Sequence, residues 1–452
     1  MRAQADILCF SDDRVHTWGS FSADVELFRQ DIASATHVCN MLAGRYDFMV
    51  GFAAAMLNDQ VTVLPSAAAS QAVAAAQAGA ERPLLLGDAP PDLDNCERIA
   101  AVPRSGCVGD PIALASALDG SVTEVHVFTS GSTKDPVRHF KDWAALAGGA
   151  GLTEKILRDL GCDPGSCAIL GTTPHQHMYG LEATILTGLA YGHSIYDRTI
   201  FYPADLERAA EIARKVGFKR LVLITSPSHL RFLEPTILAT PEICGVVSAT
   251  APLSPAQAGR LEARGDLPVM EIYGTTETGS LAERRTVRSD EWRPLDGFVL
   301  EDQPQGCMAS APYLRAPVRL GDAIEQTSQG QFRLLGRPDD MVNVAGKRTN
   351  LAALNAILSE TREIQDGVVL RYPSDDGDII AVIAVLDRAS NTSEAEAKSA
   401  IRRQFRKYVD PIFSPKRIGF TDQLPRSKTG KIPERDMRSL MRIVGIVGRD
   451  GA

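Results

Sequence analysis

The sequence lacks the cysteine patterns of a disulfide or zinc framework. Its eight cysteines stand at 9, 39, 96, 107, 162, 167, 244 and 307, without CxxC pairs or regular spacing. This distribution predicts reduced thiols. The first residues show no basic stretch followed by a long apolar run, and no segment approaches the roughly 18 apolar residues of a membrane span. We therefore expect a cytoplasmic protein without a membrane span.

The chain as a whole also lacks an excess of basic residues. It carries 56 Asp and Glu against 48 Lys and Arg, for a net charge of −8. This balance argues against general nucleic-acid binding. The charge is uneven, because residues 401–452 hold thirteen Lys and Arg but five Asp and Glu. This basic segment is either a solvated surface or the binding face for an acidic partner.

The pattern of apolar runs predicts an α/β fold. A chain of 452 residues exceeds the roughly 250 to 300 residues of a single core, so two or three domains are expected. Helix-like stretches such as 206–216 alternate with strand-like runs, which favours parallel-rich sheets covered by helices, with ligands at the carboxyl ends of the strands. The strand-like runs are 82–87, 124–130, 167–173, 220–226 and 245–250. The alanine-rich segment 65–81 favours a surface helix.

The pattern changes after residues 336–348. A helix-like segment, an alternating strand and a basic helix follow there, and together they predict a compact α+β unit. We place the boundary near Asp340, which gives a large N-terminal domain (1–339) and a small C-terminal domain (340–452).

Five polar loops carry candidate chemistry. The first, "TSGST" (129–133), offers hydroxyl and backbone N–H donors to phosphate oxygens, although it is not a GxxxxGK[ST] loop. The second, "EIYGTTETGS" (271–280), places an aromatic ring beside a glycine and contains the carboxylate of Glu277, which is suited to Mg²⁺. In "RLGDAI" (319–324) an acidic residue can bind the hydroxyls of a ribose. The others are "LGRPDD" (335–340) and "LPRSKTGKIPERDM" (424–437). Taken singly, each also fits an ordinary turn, solvated charge or helix cap.

In this order and at these separations the five loops resemble the motifs of the adenylate-forming, AMP-dependent acyl and aryl acid ligase superfamily. The resemblance extends from about residue 124 to residue 437. The segment "TPHQHMYGLE" (173–182) is similar to the family's P-x-x-H-x-x-G motif, and "SATAPLS" (248–254) stands where a GGAPL-like loop is usual. The resemblance implies an acid–thiol ligase: a carboxylate attacks the α-phosphate of ATP, pyrophosphate leaves, and the acyl adenylate passes its acyl group to a thiol.

The resemblance also implies roles for individual residues. Glu277 would hold Mg²⁺, Thr276 would bind the α-phosphate, His177 would contact the acyl group, and Lys431 would bridge the carboxylate and the α-phosphate. The ATP-binding set would be Thr129, Ser130, Gly131, Ser132, Thr133, Thr250, Ala251, Tyr273, Gly274, Asp322 and Arg337. The acyl pocket would be bordered by His177, Tyr179, Gly180, Ala249 and Thr275. The pair His175 and His177 has no further metal ligands nearby, which favours a pocket role for His177 over a metal site.

The small domain would act as a mobile lid that carries Lys431 and turns about a hinge at Asp340. The chain resembles short stand-alone ligases that load aryl or fatty acids onto an acyl carrier protein, so we expect phosphopantetheine as the thiol, with coenzyme A as the alternative.

The first loop departs from the family pattern TSGTTGxPKG. Lys134 replaces a glycine, and Val137 and Arg138 replace the usual Lys-Gly pair. We expect Lys134, Arg138 or Lys141 to supply the missing charge. Two other interpretations stay open: a protein that binds nucleotide or acyl-AMP without catalysis, and an unrelated ATPase or kinase.

Overall fold

A computed structural model describes most of the chain. The described residues are 3–65, 83–88, 97–129, 137–304, 306–327, 330–337, 340–344, 347–374, 377–387, 392–426, 432 and 434–443. The helix expected at 65–81 lies outside them, apart from Pro65. Among the described helices, none combines the length and the apolar character that crossing a membrane would require.

The described part of the chain contains strands β1 to β25 and a set of helices. The strands are β1 Ile7–Phe10, β2 Val15–Thr17, β3 His37–Asn40, β4 Val61–Leu64, β5 Pro83–Leu86, β6 Glu97–Ile99, β7 Val125–Thr129, β8 Val137–Lys141, β9 Ala168–Gly171, β10 Ser194–Tyr196, β11 Leu221–Thr225, β12 Ile243–Ser248, β13 Val269–Thr275, β14 Gly279–Arg284, β15 Arg293–Pro294, β16 Val299–Gln303, β17 Gly306–Ser310, β18 Val318–Arg319, β19 Ala323–Gln326, β20 Phe332–Gly336, β21 Met341–Val344, β22 Lys347–Asn350, β23 Ile364–Ser374, β24 Gly377–Leu386 and β25 Arg417–Phe420. The α-helices are Trp18–Asp31, Arg45–Leu57, Pro111–Asp119, Trp143–Asp159, Met178–Gly180, Thr187–Tyr191, Pro203–Val216, Pro227–Ala239, Pro255–Glu262, Leu351–Ser359, Glu394–Tyr408 and Glu434–Ile443, with a π-helical segment at Leu181–Leu186 and a 3₁₀ turn at Pro411–Phe413.

Two parallel-rich sheets form the large unit. The nine-stranded sheet has the order β15-β14-β13-β12-β11-β9-β10-β1-β2, and its six central strands, from β13 to β1, are parallel. The six-stranded sheet has the order β6-β5-β3-β4-β7-β8 and is parallel except for the β7/β8 pair. The predicted α/β fold with parallel-rich sheets is thereby confirmed.

The alternation of side chains along β11 shows why the nine-stranded sheet is covered on both faces. Leu221 and Leu223 pack with helices 203–216, 227–239 and 255–262, whereas Val222 and Ile224 pack against helix 143–159. All four side chains are fully buried, because successive residues of a strand point to opposite faces. The apolar run therefore predicts a strand buried on both sides.

Arg45 connects the two sheets from a fully buried position. It begins the helix that packs on the six-stranded sheet, and its guanidinium donates 3.0 Å hydrogen bonds to the carbonyls of Tyr196 and Gly171, at the carboxyl ends of β10 and β9. Burial lowers the pKa of Arg45 to about 10, so the side chain stays protonated at neutral pH. The carbonyl dipoles stabilise a charge that would otherwise be costly to bury.

The residues after β20 form an α+β unit. Strands β23, β24 and β25 make one sheet, and its inner face buries Val382 and Ile380 against helices 351–359 and 394–408. Glu360 connects this unit to the large one: it accepts a 2.5 Å hydrogen bond from Ser254 Oγ and pairs with Arg260 at 2.9 Å. Arg231 donates to the backbone carbonyls of Thr361 and Ile364.

Candidate active site

The candidate site begins at the tight turn between β13 and β14. Thr275 Oγ1 accepts from Thr278 N at 3.2 Å, and Thr275 N donates to Thr278 Oγ1 at 3.2 Å, so the two threonines brace the turn that carries Thr276 and Glu277. Gly274 is required there, because a Cβ at this position would lie 2.2 Å from the carbonyl oxygen of Gly279. The turn is therefore fixed by local contacts before any ligand binds.

Tyr273, Asp322 and Arg337 form one polar cluster beside this turn. The Tyr273 hydroxyl donates to Asp322 Oδ2 at 2.8 Å, and Arg337 Nε lies 3.6 Å from Asp322 Oδ1. Burial, together with the Asp322 carboxylate, raises the pKa of Tyr273 well above its usual value, so the phenol keeps its proton. Its ring lies 5.8 Å from Trp292 between ring centroids, which holds it in a defined orientation. Three predicted nucleotide-binding residues thus meet, although they come from three separate loops.

Strand β8 brings the first loop close to the second. Thr129 and Val137 are paired where β7 and β8 enclose the loop between them. His139 and Lys141 follow Val137 on the same face of β8. His139 Nε2 lies 3.6 Å from Glu277 Oε1, and Lys141 Nζ donates to the Glu277 backbone carbonyl. Burial lowers the pKa of His139, so the imidazole is neutral at pH 7. The start of the first loop, the hydroxyl loop (129–133), is therefore linked through β8 to Glu277, the predicted magnesium ligand.

Lys141 is one of the three residues expected to replace the missing lysine of the loop. It is buried, and burial lowers its pKa while Glu182 and Glu277 act in the opposite direction. The Lys141 ammonium group contacts the turn that carries Glu277. Arg138 packs its guanidinium 5.4 Å from the ring of Phe128.

Glu182 is a buried acid that the sequence motifs did not indicate as functional. Its Oε2 accepts from Ser280 N at 2.9 Å and Ser280 Oγ at 2.8 Å, directly behind the turn. Burial raises the pKa of this carboxyl group. Its Oε1 has no hydrogen-bond partner among the described residues. A glutamate inside an otherwise apolar helical segment, "YGLEATIL", was the available signal.

The loop after β12 contains a strained residue. Thr250 has φ +78°, a left-handed conformation that a β-branched residue rarely adopts. It is exposed, whereas its neighbour Ala249 is buried in the core. Thr250 and Ala251 stand where a glycine-containing loop is usual in the motif that this segment resembles. Thr250 adopts a backbone conformation that glycine would adopt more easily.

The residues expected to border the acyl group have different environments. Tyr179 is buried and its hydroxyl donates to the Val247 carbonyl at 2.9 Å, which joins segment 173–182 to β12. Gly180 is sterically required, because a Cβ there would lie 2.1 Å from the Pro174 carbonyl oxygen. His177 is half-buried at the start of helix 178–180.

The neighbouring His175 is fully buried. Its Nε2 lies 2.9 Å from the Leu42 carbonyl, and burial lowers its pKa to about 3. This core contact accounts for one member of the HxH pair.

Several predicted site residues lie outside the described part of the chain. They are Ser130, Gly131, Ser132 and Thr133 of the hydroxyl loop, Lys134, and Lys431. Asp340, the predicted hinge, is described, and its backbone N–H donates to the Arg337 carbonyl at 3.0 Å.

Comparison with known proteins finds relatives among coenzyme A ligases and synthetases. No family model matches the chain. The chain is 29% identical over 307 residues to a 4-coumarate–CoA ligase of Cereibacter sphaeroides, covering 68% of this chain and 69% of that protein. It is 34% identical over 123 residues to an acetyl-coenzyme A synthetase of Cupriavidus metallidurans, covering 26% of this chain and 19% of that one.

Solved structures show the same fold. An O-succinylbenzoate coenzyme A synthetase from Bacillus subtilis in complex with AMP aligns with a TM-score of 0.75 at 15% identity, over 96% of each chain. A benzoate CoA ligase from Burkholderia xenovorans aligns with a TM-score of 0.73 at 17% identity, over 97% of each chain. By class, the protein is an AMP-forming acid–thiol ligase, and ATP is its nucleotide. The resemblance to the adenylate-forming ligase superfamily that the motifs indicated is confirmed by these relatives.

Proposed function

We propose that the protein activates an aryl or fatty acid with ATP, releases pyrophosphate, and transfers the acyl group from the adenylate to the thiol of coenzyme A. The observation that carries this proposal is the contact of β8 with the turn of Glu277. This contact joins the start of the hydroxyl loop to the second loop (271–280). The cluster of Tyr273, Asp322 and Arg337 lies beside it. These groups would hold phosphates on one side and adenosine on the other.

The proposed chemistry needs positioning more than covalent help. Tyr273 would stack on adenine while Asp322, with Arg337 beside it, accepts hydrogen bonds from the ribose hydroxyls. Thr276 would donate to the α-phosphate. The work of the site is to hold the carboxylate oxygen in line with that phosphate and to stabilise the accumulating negative charge.

The Glu277 carboxylate fits a divalent cation. Its side chain is 42% exposed, and the nearby His139 is neutral at pH 7, so the oxygens remain available as hard ligands. Mg²⁺ bound there would offset the charge of the ATP phosphates. His139 would orient the carboxylate from the opposite side.

We further propose that residues 340–452 form the lid and turn about Asp340. Lys431 would then reach the carboxylate and the α-phosphate as a mobile point charge when the lid closes. Closure would exclude water from an adenylate that hydrolyses readily.

The thiol acceptor is proposed from the names of two relatives, and the basic segment 401–452 is compatible with it. The two curated relatives reported above are named for coenzyme A thioesters, which supports coenzyme A over the carrier protein suggested by the chain's similarity to short ligases. The basic segment 401–452 fits the phosphates of coenzyme A, and it also fits an acidic carrier protein.

Pyrophosphate exchange over a panel of aryl and fatty acids tests the first half-reaction. We expect acid-dependent exchange in the wild type and its loss in Lys431→Ala. Equal absence in both proteins would favour a non-catalytic binding protein, and release of orthophosphate would favour an ATPase or kinase. Mass spectrometry with coenzyme A and a phosphopantetheinylated carrier protein in separate reactions then identifies the acceptor. Acylation of the carrier protein alone would overturn the coenzyme A assignment.

A further inference from the structure

Three cysteines from two distant segments of the sequence meet at the amino-terminal edge of the nine-stranded sheet. Cys162 follows helix 143–159, Cys167 immediately precedes β9, and Cys244 is the second residue of β12. Their sulfur atoms all lie within 4.8 Å of one another, and the Sγ atoms of Cys162 and Cys244 are 3.4 Å apart. The spacing of these cysteines in the sequence gave no indication of this cluster, which we call the thiol cluster.

The dimensions of the thiol cluster fit a thiolate-bound metal ion. A metal–thiolate bond of about 2.3 Å places the sulfurs of a trigonal site about 4 Å apart. The Cys162–Cys244 separation of 3.4 Å is slightly shorter than this value and no separation exceeds 4.8 Å, so small side-chain rotations would suffice to form the site. In the described part of the chain no histidine, aspartate or glutamate joins this group. Three sulfur ligands without a fourth protein ligand favour a soft cation over the four-coordinate geometry of structural zinc.

The surroundings of the thiol cluster provide a positive charge and access for a metal ion from solvent. Arg220 lies beside it at the start of β11, donates to the Leu160 carbonyl at 3.1 Å, and interacts electrostatically with the cysteines. Its single positive charge offsets part of the excess negative charge of three thiolates around a monovalent cation. Cys162 and Cys167 are each 1% exposed, whereas Cys244 is partly exposed and opens the cluster to solvent.

We propose that Cys162, Cys167 and Cys244 form a binding site for one soft, thiophilic cation of the Cu⁺ type, held by three thiolates with the positive charge of Arg220 beside them. Binding forms three metal–sulfur bonds, and the thiol protons pass to solvent, so no oxidant or reductant is needed. The site lies at the opposite edge of the sheet from the carboxyl ends of β9 to β12. It is therefore independent of the proposed ligase reaction.

Cu⁺ titration of the reduced full-length protein tests the proposal. Cu⁺ is added without oxygen in competition with a chromophoric chelator. We expect one equivalent to bind in the wild type, with thiolate-to-copper charge-transfer absorption. Cys244→Ser and Cys162→Ser should each weaken binding by at least about tenfold, since losing even an outer partner of a metal site costs 10–100-fold. Cys307→Ser, which removes a buried thiol in β17, should bind as the wild type does.

Far-UV circular dichroism and the unfolding midpoint verify that each variant is folded, and Cys244→Ala provides a second test at the most exposed ligand. The proposal is overturned if the reduced wild type binds no more Cu⁺ than the Cys244→Ala variant binds. It is equally overturned if Cys307→Ser loses as much affinity as Cys244→Ser.

Discussion

The Tyr273 hydroxyl donates a 2.8 Å hydrogen bond to Asp322 Oδ2 and so joins two loops that are 49 residues apart in the sequence. Arg337 approaches the other oxygen of the same carboxylate from a third loop. The Asp322 carboxylate therefore contacts both the Tyr273 hydroxyl and the Arg337 guanidinium, and it is also the group proposed to bind the ribose.

Asp322→Asn should weaken ATP use selectively. A hydrogen bond to a charged group contributes about 1.5–3 kcal/mol, which corresponds to roughly 10–100-fold in affinity. We expect KM for ATP to rise by roughly tenfold while KM for the acid is unchanged, as measured by pyrophosphate exchange. Asp302→Asn, at an exposed aspartate of β16, is the matched control. A rise in KM for the acid alone would contradict the assignment of Asp322 to ribose.

Lys141→Met should impair the Glu277 turn. The substitution removes the donor that Lys141 Nζ provides to the Glu277 carbonyl, and an acceptor left without its partner costs about 1–3 kcal/mol. We expect kcat/KM for ATP to fall by about tenfold or more. Lys155→Met, on the surface of helix 143–159, should have no effect. Unchanged kinetics in Lys141→Met would show that the turn keeps its shape without this contact.

Glu182→Gln should change how stability depends on pH. The folded pKa of Glu182 is raised above its ordinary value of 4.5, so its contribution to stability is complete below pH 4.5 and is lost as pH rises through the folded pKa. The wild type should therefore lose stability relative to Glu182→Gln as pH rises from 4 to 8, as measured by urea unfolding.

The matched control for this measurement is Glu211→Gln. Lys215 lowers the pKa of Glu211, so its small contribution has the opposite sign and is present at neutral pH. A pH-independent difference between the wild type and Glu182→Gln would exclude titration of Glu182 as the cause.

Thr250→Gly should stabilise the protein. Left-handed backbone costs a non-glycine residue about 1–3 kcal/mol, and the extra freedom of glycine in the unfolded chain offsets part of this. We expect a net gain of roughly 1 kcal/mol in the urea unfolding transition that includes β12. Thr250→Ala retains a Cβ and should gain much less. An equal gain in both variants would locate the effect in the hydroxyl group instead of the backbone.

The sequence was most informative where one local pattern determines one element. The apolar run 220–226 predicted the strand observed at Leu221–Thr225, and residues 206–216 predicted most of helix 203–216. Strands buried on both faces need continuous apolar side chains, and amphipathic helices need a fixed periodicity, so both patterns are visible in a few residues.

Contacts between distant segments were not predictable in this way. The order of the motifs indicated that Tyr273, Asp322 and Arg337 act together, but nothing in "VRHFK" showed that Lys141 contacts the carbonyl of Glu277, 136 residues away. The burial of Glu182 behind Ser280 and the meeting of Cys162 with Cys244 depend on how the helices cover the sheet. Such three-dimensional contacts leave no local periodicity in the sequence.

Arg45 has a consequence for how the large unit unfolds. Its helix packs on the six-stranded sheet, but its guanidinium donates to carbonyls at the ends of β9 and β10 in the other sheet. If either sheet opened alone, the guanidinium would lose these acceptors while still enclosed by apolar side chains. The cost of that intermediate couples the two sheets, so we expect these two structurally distinct layers to unfold in one cooperative transition.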